Sequence, residues 1–196
     1  MEKIEDVTGV LLAGGKSSRM GQDKAVLHVN GKPLYEGVLE TLQSVFASVI
    51  IAGDRPSLAR EGVPYFADTY PGSALGGLHT ALSNAKTDKV FIAACDLPHA
   101  DPNIIRLLLS YRHKHDVVVA KVPLGFEPLF AVYDKSGLPL IEDMLQRNSF
   151  KLYEFFSLVN VKYVGLDELP AYWQKAFLNI NTPEDYAAIT AESSDK

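Results

Sequence analysis

Short apolar runs alternate with amphipathic helical patterns from one end of this chain to the other, which restricts the fold to repeated strand–helix–strand units around a mainly parallel sheet. The run Lys89–Ala94 (KVFIAA) is apolar almost throughout, as a strand covered on both faces must be. Further strands are expected at Gly9–Ala13, Ser48–Ala52, Asp116–Val122, Glu127–Tyr133 and Val161–Val164, with a short extended piece at Pro64–Phe66. Helical spacing runs from Pro33 to about Val45, with Leu34, Val38, Leu42 and Val45 on one face. It recurs over Ala74–Ala85, Pro102 to about His113, Pro139–Arg147 and Leu152–Phe156. Phe177–Asn181 reads as extended, and Thr182-Pro183-Glu184-Asp185 opens a last helix with a capping threonine, a first-turn proline and first-turn acids. The expected class is α/β: one doubly wound, mostly parallel sheet in a single domain over residues 1–190, with 191–196 a disordered tail.

The first strand feeds directly into a glycine-rich loop, and the whole stretch Leu11–Leu27 reads LLAGGKSSRMGQDKAVL. Gly14 and Gly15 let the backbone turn tightly and bring N–H groups close to anion oxygens with no Cβ in the way. Lys16, Arg19 and Lys24 place three cations within eleven residues of Gly14, more than a plain strand-to-helix turn needs. The whole chain carries −5, so this positive charge is local and suits a small polyphosphate. Two familiar nucleotide loops are excluded. A Walker-type loop needs glycine where Val10 stands, five positions before the Gly15-Lys16-Ser17 step, and no GxGxxG follows the first strand.

Doubly wound sheets bind ligands outside the carboxyl ends of their strands, and a second strand end stands out there. Cys95-Asp96-Leu97-Pro98 follows the buried run at once. A carboxylate in that position is costly without a cationic partner, and a divalent metal bridging phosphates supplies one. The same aspartate also fits a turn or helix cap before proline.

Composition narrows the class further. Hydrophobic residues make up 47% and charged residues 22%, without a basic stripe, which argues against nucleic-acid binding. No stretch is long and apolar enough for a membrane span, and residues 1–10 lack a signal pattern, so a cytoplasmic protein is expected. Cys95 is the single cysteine, which rules out an internal disulfide or a cysteine metal cluster and reads as a small buried hydrophobe. His28, His79, His99, His113 and His115 are scattered without ligand spacing and read as surface or packing residues; only His99 lies near Asp96 in sequence.

Taken in order, Leu12-Ala13-Gly14-Gly15, Arg19-Met20-Gly21 and Asp23-Lys24 resemble the signature of the molybdenum cofactor guanylyltransferases, the MobA family of nucleotidyltransferases. Asp68 with Tyr70-Pro71-Gly72, Leu75-Gly76-Gly77, Cys95-Asp96-Leu97-Pro98, Glu127-Pro128-Leu129 and Asn179-Ile180-Asn181-Thr182-Pro183-Glu184-Asp185 are similar to that family in the same order, from residue 9 to about 187. The resemblance implies a Rossmann-like nucleotidyltransferase fold and transfer of GMP from GTP to the terminal phosphate of molybdopterin, with Mg²⁺ as cofactor. It also implies that the backbone of Leu12, Ala13 and Gly14 and the side chain of Asp68 contact the nucleotide, that Lys24 binds phosphate, and that Asp96 holds Mg²⁺. Ala52 departs from members that carry a nucleotide-binding asparagine there, so that contact is lost or moved to Asp54.

The chemistry agrees. Nucleotidyl transfer rests on positioning and on neutralising charge at phosphorus, a task for Arg19, Lys24 and Asp96. The attacking phosphate is already ionised, so no strong general base is needed. For the acceptor, Arg147 and Lys151 can hold the molybdopterin phosphate or simply sit at a solvated helix end, and Asn179 and Asn181 can face the metal or pterin or simply close a turn. Tyr133, Tyr153 and Trp173 can stack on a pterin or pack in the core. Two other functions remain open at this level: a related enzyme using CTP or a sugar or alditol phosphate, and a silent nucleotide-binding adaptor. Transient contacts with cofactor-biosynthesis proteins and molybdoenzymes would accompany delivery of an unstable cofactor.

Overall fold

The described part of the computed structural model comprises residues 2–14, 24–29, 31–180 and 182–194, with the backbone alone at 24 and 191–194. In chain order the elements are β1 (Ile4–Leu12), β2 (His28–Val29), β3 (Lys32–Pro33), α1 (Leu34–Val45), β4 (Phe46–Ala52), β5 (Tyr65–Phe66), α2 (Ala74–Asn84) and β6 (Lys89–Ala94). They continue with α3 (Pro102–Ser110), β7 (Val117–Val122), β8 (Gly125–Asp134), α4 (Leu138–Gln146), α5 (Leu152–Phe156), β9 (Val161–Val164), α6 (Trp173–Ala176) and α7 (Pro183–Ser194).

Seven strands form the central sheet in the order β5-β4-β1-β6-β8-β7-β9, and β2 and β3 make a separate antiparallel pair. Within the sheet β8 alone runs against its neighbours β6 and β7; every other pairing is parallel. The mixed sheet thus keeps the expected mostly parallel, doubly wound character, with helices on both faces. On one face α1 and α3 bury Tyr35, Val38, Leu42, Ile104 and Leu108 against Phe91 and Phe130. On the other, α2, α4 and α5 bury Leu75, Leu78, Ile141 and Phe155 against Ile92 and Tyr133. Each such side chain contributes about 1.5–3 kcal/mol by leaving water. Because β1 and β6 are covered on both sides, their sequences carry no alternation.

Local signals work as the sequence indicates. The Asp101 carboxylate accepts the amides of Asn103 and Ile104 at 2.7 and 3.1 Å and caps α3, with Pro102 in the first turn. Thr182 and Asp185 cap α7 reciprocally, each side chain accepting the other's backbone N–H. Among the described residues no helix is long and apolar enough to cross a membrane.

Three segments differ from expectation. β1 begins at Ile4, ahead of the expected Gly9, because its first turn of residues is held by polar contacts: Asp6 takes the Arg112 guanidinium at 2.9 Å and Thr8 meets Thr87 at 2.7 Å. Phe177–Ile180 forms no ladder. Both edges of β6 are already taken by β1 and β8, so Ile180 makes a single backbone bond, 3.2 Å, to the Asp96 carbonyl beyond the end of β6. The short helix α6 precedes it, and the α7 backbone continues to Ser194, into the stretch expected as tail.

Candidate active site

Sheet order puts the site where connections from neighbouring strands diverge. From β1 the chain crosses to β4 on one side and later returns to β6 on the other, which opens a crevice at their carboxyl ends. Leu12 is level with Ala52 on one neighbour and Ala94 on the other, so Ala13 and Gly14 emerge between Gly53-Asp54 and Cys95-Asp96.

The backbone at this point is tightly fitted. The Ala13 amide donates to Ala52 O at 2.8 Å, and Gly53 N donates to Phe66 O at 3.0 Å. Gly53 has φ +146°, and a Cβ there would stand 2.4 Å from the carbonyl carbon and oxygen of Ala13. The Tyr65 hydroxyl donates to Gly53 O and holds the turn from below. Beside it, Ser73 caps α2 by accepting the Gly76 amide at 3.0 Å. A Cβ on Gly76 would fall 1.8 Å from Tyr70 O, and one on Gly77 would sit 3.2 Å from the Leu12 side chain. The glycine pair therefore lets the Asp68–Gly72 loop and the end of β1 close onto the first turn of α2.

Asp68 is brought into this cleft. Its carboxylate lies 4.0 Å from where a Gly14 Cβ would be and 3.9 Å from the equivalent point on Gly77. Burial pushes its carboxyl above the usual range, the neighbouring Thr80 hydroxyl opposes that shift, and the Asp54 charge adds to it. Its Oδ1 is buried with no hydrogen-bond partner among the described residues. An acceptor left open this way costs about 1–3 kcal/mol, and a donating ligand recovers it.

Asp96 is half-buried just past β6, its carbonyl fixed by Ile180. That bond brings the Asn179 segment to the same strand end. The Asn179 amide itself donates to Phe177 O at 3.3 Å, closing its own turn. Arg147 and Lys151 are exposed around the end of α4 and pair with Asp143 at 2.8 Å and Glu154 at 3.5 Å. Gly15, Lys16, Arg19 and Asn181 lie outside the described residues, as does the side chain of Lys24, whose backbone starts a 3-10 turn at Lys24–Val26. Leu12, Ala13, Gly14, Asp68 and Asp96 are thus the expected site residues that the fold gathers at one crevice.

One carboxylate there, Glu127 of the Glu127-Pro128-Leu129 motif, was given no site role from sequence. Glu127 lies beyond the last β6–β8 pair, Ala93↔Phe130, on β8, near enough to Asp96 for the two charges to interact. Burial, and then the Asp96 charge, push the Glu127 carboxyl up to about 7. The available signal was the Glu127-Pro128 step inside a strand, since proline between two partners marks a bulge. Among the histidines, His79 packs as expected, edge-on to Tyr70 at 5.0 Å with Nε2 3.4 Å from Glu142. Tyr133 is fully buried core, Tyr153 is exposed, and Trp173 packs on Phe177 at 6.3 Å.

Comparison with known proteins is consistent across three lines. A MobA-like NTP transferase domain model matches residues 9–158. The chain is 39% identical over 95% of its length to a Pelotomaculum thermopropionicum protein named "Probable molybdenum cofactor guanylyltransferase", covering 94% of it. It is 32% identical to the molybdenum cofactor guanylyltransferase of Vibrio cholerae, over 95% of this chain and 92% of that one. In fold it superposes with TM-score 0.83 on the Archaeoglobus fulgidus molybdopterin-guanine dinucleotide biosynthesis protein A, at 24% identity, covering 96% of this chain and all of the other.

Proposed function

The chain belongs to the MobA-like NTP transferase family, and from that premise we propose that it transfers GMP from GTP to the terminal phosphate of molybdopterin, forming molybdopterin guanine dinucleotide and pyrophosphate. The acceptor phosphate attacks the α-phosphorus of GTP, the bond to the β-phosphate breaks, and pyrophosphate leaves with the electron pair. The observation that carries this reading is the crevice at the ends of β1 and β6, where Asp68 offers a buried oxygen that has no donor among the described residues, beside the backbone of Gly14. A nucleoside supplies such donors from its base N–H groups and ribose hydroxyls.

Roles follow from position. The backbone of Leu12, Ala13 and Gly14 and the following Gly15 cradle the nucleotide, and Asp68 accepts its hydrogen bonds. Lys24 and Arg19 neutralise the phosphates and the departing pyrophosphate, lowering the barrier by charge stabilisation. Arg147, Lys151, Asn179 and Asn181 are the residues for the acceptor side. A divalent cation fits the other wall: Asp96 presents hard carboxylate oxygen there. Asp96 would hold Mg²⁺, which when bound supplies charge neutralisation between nucleotide and acceptor oxygens. Mg²⁺ takes one or two protein carboxylates and completes its shell with phosphate and water.

The protein is proposed to work in the cytoplasm, with transient contacts to cofactor-biosynthesis proteins and molybdoenzymes. The relatives do not favour CTP as donor. Pyrophosphate release measured with GTP, CTP and ATP in turn, with Mg²⁺ and molybdenum-loaded molybdopterin, tests the reading. Release is expected with GTP; preference for CTP or ATP would replace the nucleotide assignment.

A further inference from the structure

The chain that leaves the Lys24 turn runs into β2, which is not part of the central sheet and pairs only with β3. A two-stranded pair is marginal by itself, so its place is set by what packs on it. At the start of the turn Ala25 is buried in the larger core. At its exit Val29 joins a small separate cluster with Leu34, Ile180 and Ile189, against which Leu27 and Tyr186 pack. The Leu34 amide donates to Leu27 O at 2.8 Å, and the Tyr186 hydroxyl donates to His28 O at 2.9 Å. His28 stands four residues past Lys24. The same C-terminal stretch holds the other wall of the crevice, because the Ile180 amide donates to Asp96 O at 3.2 Å. Two adjoining pieces of chain, Ile180 and the first turns of α7, thus touch both the strand end that carries Asp96 and the backbone that follows Lys24.

We infer that Ile180 and the first turns of α7 act as a clasp across the two walls of the crevice, and that Tyr186 is the positioning residue that fixes the chain leaving the Lys24 turn, so that docking of α7 and binding of the nucleotide strengthen each other. The inference rests on the proposed phosphate role of Lys24. The clasp is lightly held. Among the described side chains of α7 only Ile189 is buried, and the cluster it joins is small, so the hydroxyl of Tyr186 and the reciprocal cap of Thr182 and Asp185 carry much of the docking. A segment with so few buried apolar contacts opens locally at little cost in free energy. Each opening releases the backbone at His28, and with it the run that ends the phosphate loop. Because coupling between two binding events is reciprocal, whatever α7 docking adds to nucleotide affinity, the nucleotide returns to α7 docking.

Amide hydrogen exchange and GTP titration of the full chain and its Tyr186→Phe variant test the clasp. The variant keeps the ring and loses only the hydroxyl, so a tyrosine that merely packed α7 would lose nothing. Without ligand, exchange over residues 24–29 should be faster in Tyr186→Phe by about 3- to 10-fold, the factor that one hydrogen bond supplies. GTP with Mg²⁺, and no acceptor, should slow exchange over residues 183–189 in the parent, and its dissociation constant should rise about 3- to 10-fold in the variant. Unchanged ligand-free exchange over 24–29 overturns the clasp whatever the ligand. Equal GTP affinity in both proteins, or α7 exchange that GTP leaves unaltered, overturns the coupling and leaves the nucleotide assignment standing. No GTP binding by the parent overturns the nucleotide assignment itself, and the role of the clasp with it.

Discussion

Gly53 lies so close to Ala13 that a single added methyl group would stand 2.4 Å from that residue's carbonyl carbon and oxygen. Two strands, β1 and β4, are locked together there at the mouth of the crevice between β1 and β6. Gly53 also has φ +146°, which a side chain disfavours. Gly53→Ala should therefore destabilise the fold by about 2 kcal/mol or more, through strain and displacement of the Ala13 carbonyl. It should also weaken GTP binding, because the displaced peptide is the one proposed to approach the nucleotide. Denaturant melts and GTP titration check both effects; a variant as stable as the parent would show that the two backbones can separate freely.

Asp68 carries a buried oxygen with no partner among the described residues and a carboxyl that burial pushes above its ordinary range. Asp68→Asn removes that charge from the cleft. The free protein should become no less stable, while GTP affinity falls by about tenfold or more, since hydrogen bonds to a charged group are worth about 1.5–3 kcal/mol. Calorimetric titration with GTP beside a thermal melt separates the two. Unchanged affinity would remove Asp68 from the nucleotide site.

Lys24 and Asp96 divide the phosphate work in the proposed mechanism. Lys24→Ala should weaken GTP binding about 10- to 100-fold, as loss of a charge-assisted contact does. Asp96→Ala should leave GTP binding nearer to normal and abolish Mg²⁺-dependent turnover. Binding and rate measurements on the same preparations check the division; equal loss of GTP affinity in both variants would contradict it.

Away from the site, Lys162 lies 2.8 Å from Glu168, whose carboxylate also accepts the Gly165 amide and the Tyr111 hydroxyl. Those donors, led by Lys162, hold the Glu168 carboxyl down at about 2, below its ordinary 4.5. A depressed carboxyl stabilises the fold above its ordinary range and stops doing so as pH falls through its folded value. Glu168→Gln should thus lower Tm at pH 7 by about 2–4 °C, the shift produced by ~1 kcal/mol in a chain of this size, and the gap should close toward pH 2. Melting curves of both proteins across that range test the sign; a gap that widens in acid would be the wrong one.

Much of this was legible in the chain because burial on both faces writes itself as unbroken apolar runs. Lys89–Ala94 matches β6 residue for residue, and Leu152–Phe156 and Val161–Val164 match α5 and β9. The start of β1 was not legible, since Glu5 and Asp6 face water and side-chain partners, and their charge hides the strand. Asp96 stood out because it follows a buried strand at once, and Asp68 because the motif that carries it resembles the family's. Glu127 did not, because its neighbourhood with Asp96 exists only once β8 is laid antiparallel against β6 and bulged at Pro128. The Phe177–Ile180 segment misled because its apolar residues pack without pairing as a strand: Phe177 joins the large cluster with Phe91 and Phe130, and Ile180 meets Val29, Leu34 and Ile189.

The central claim is that the bond broken lies between the α- and β-phosphates of GTP and that the guanylyl group ends on molybdopterin. GTP labelled with ³²P at the α position, incubated with the protein, Mg²⁺ and molybdenum-loaded molybdopterin, tests it most directly, alongside a parallel reaction labelled at the γ position. The account predicts α-label in a molybdopterin guanine dinucleotide and γ-label in pyrophosphate. Release of γ-label as inorganic phosphate, with no α-label on the pterin, would contradict it.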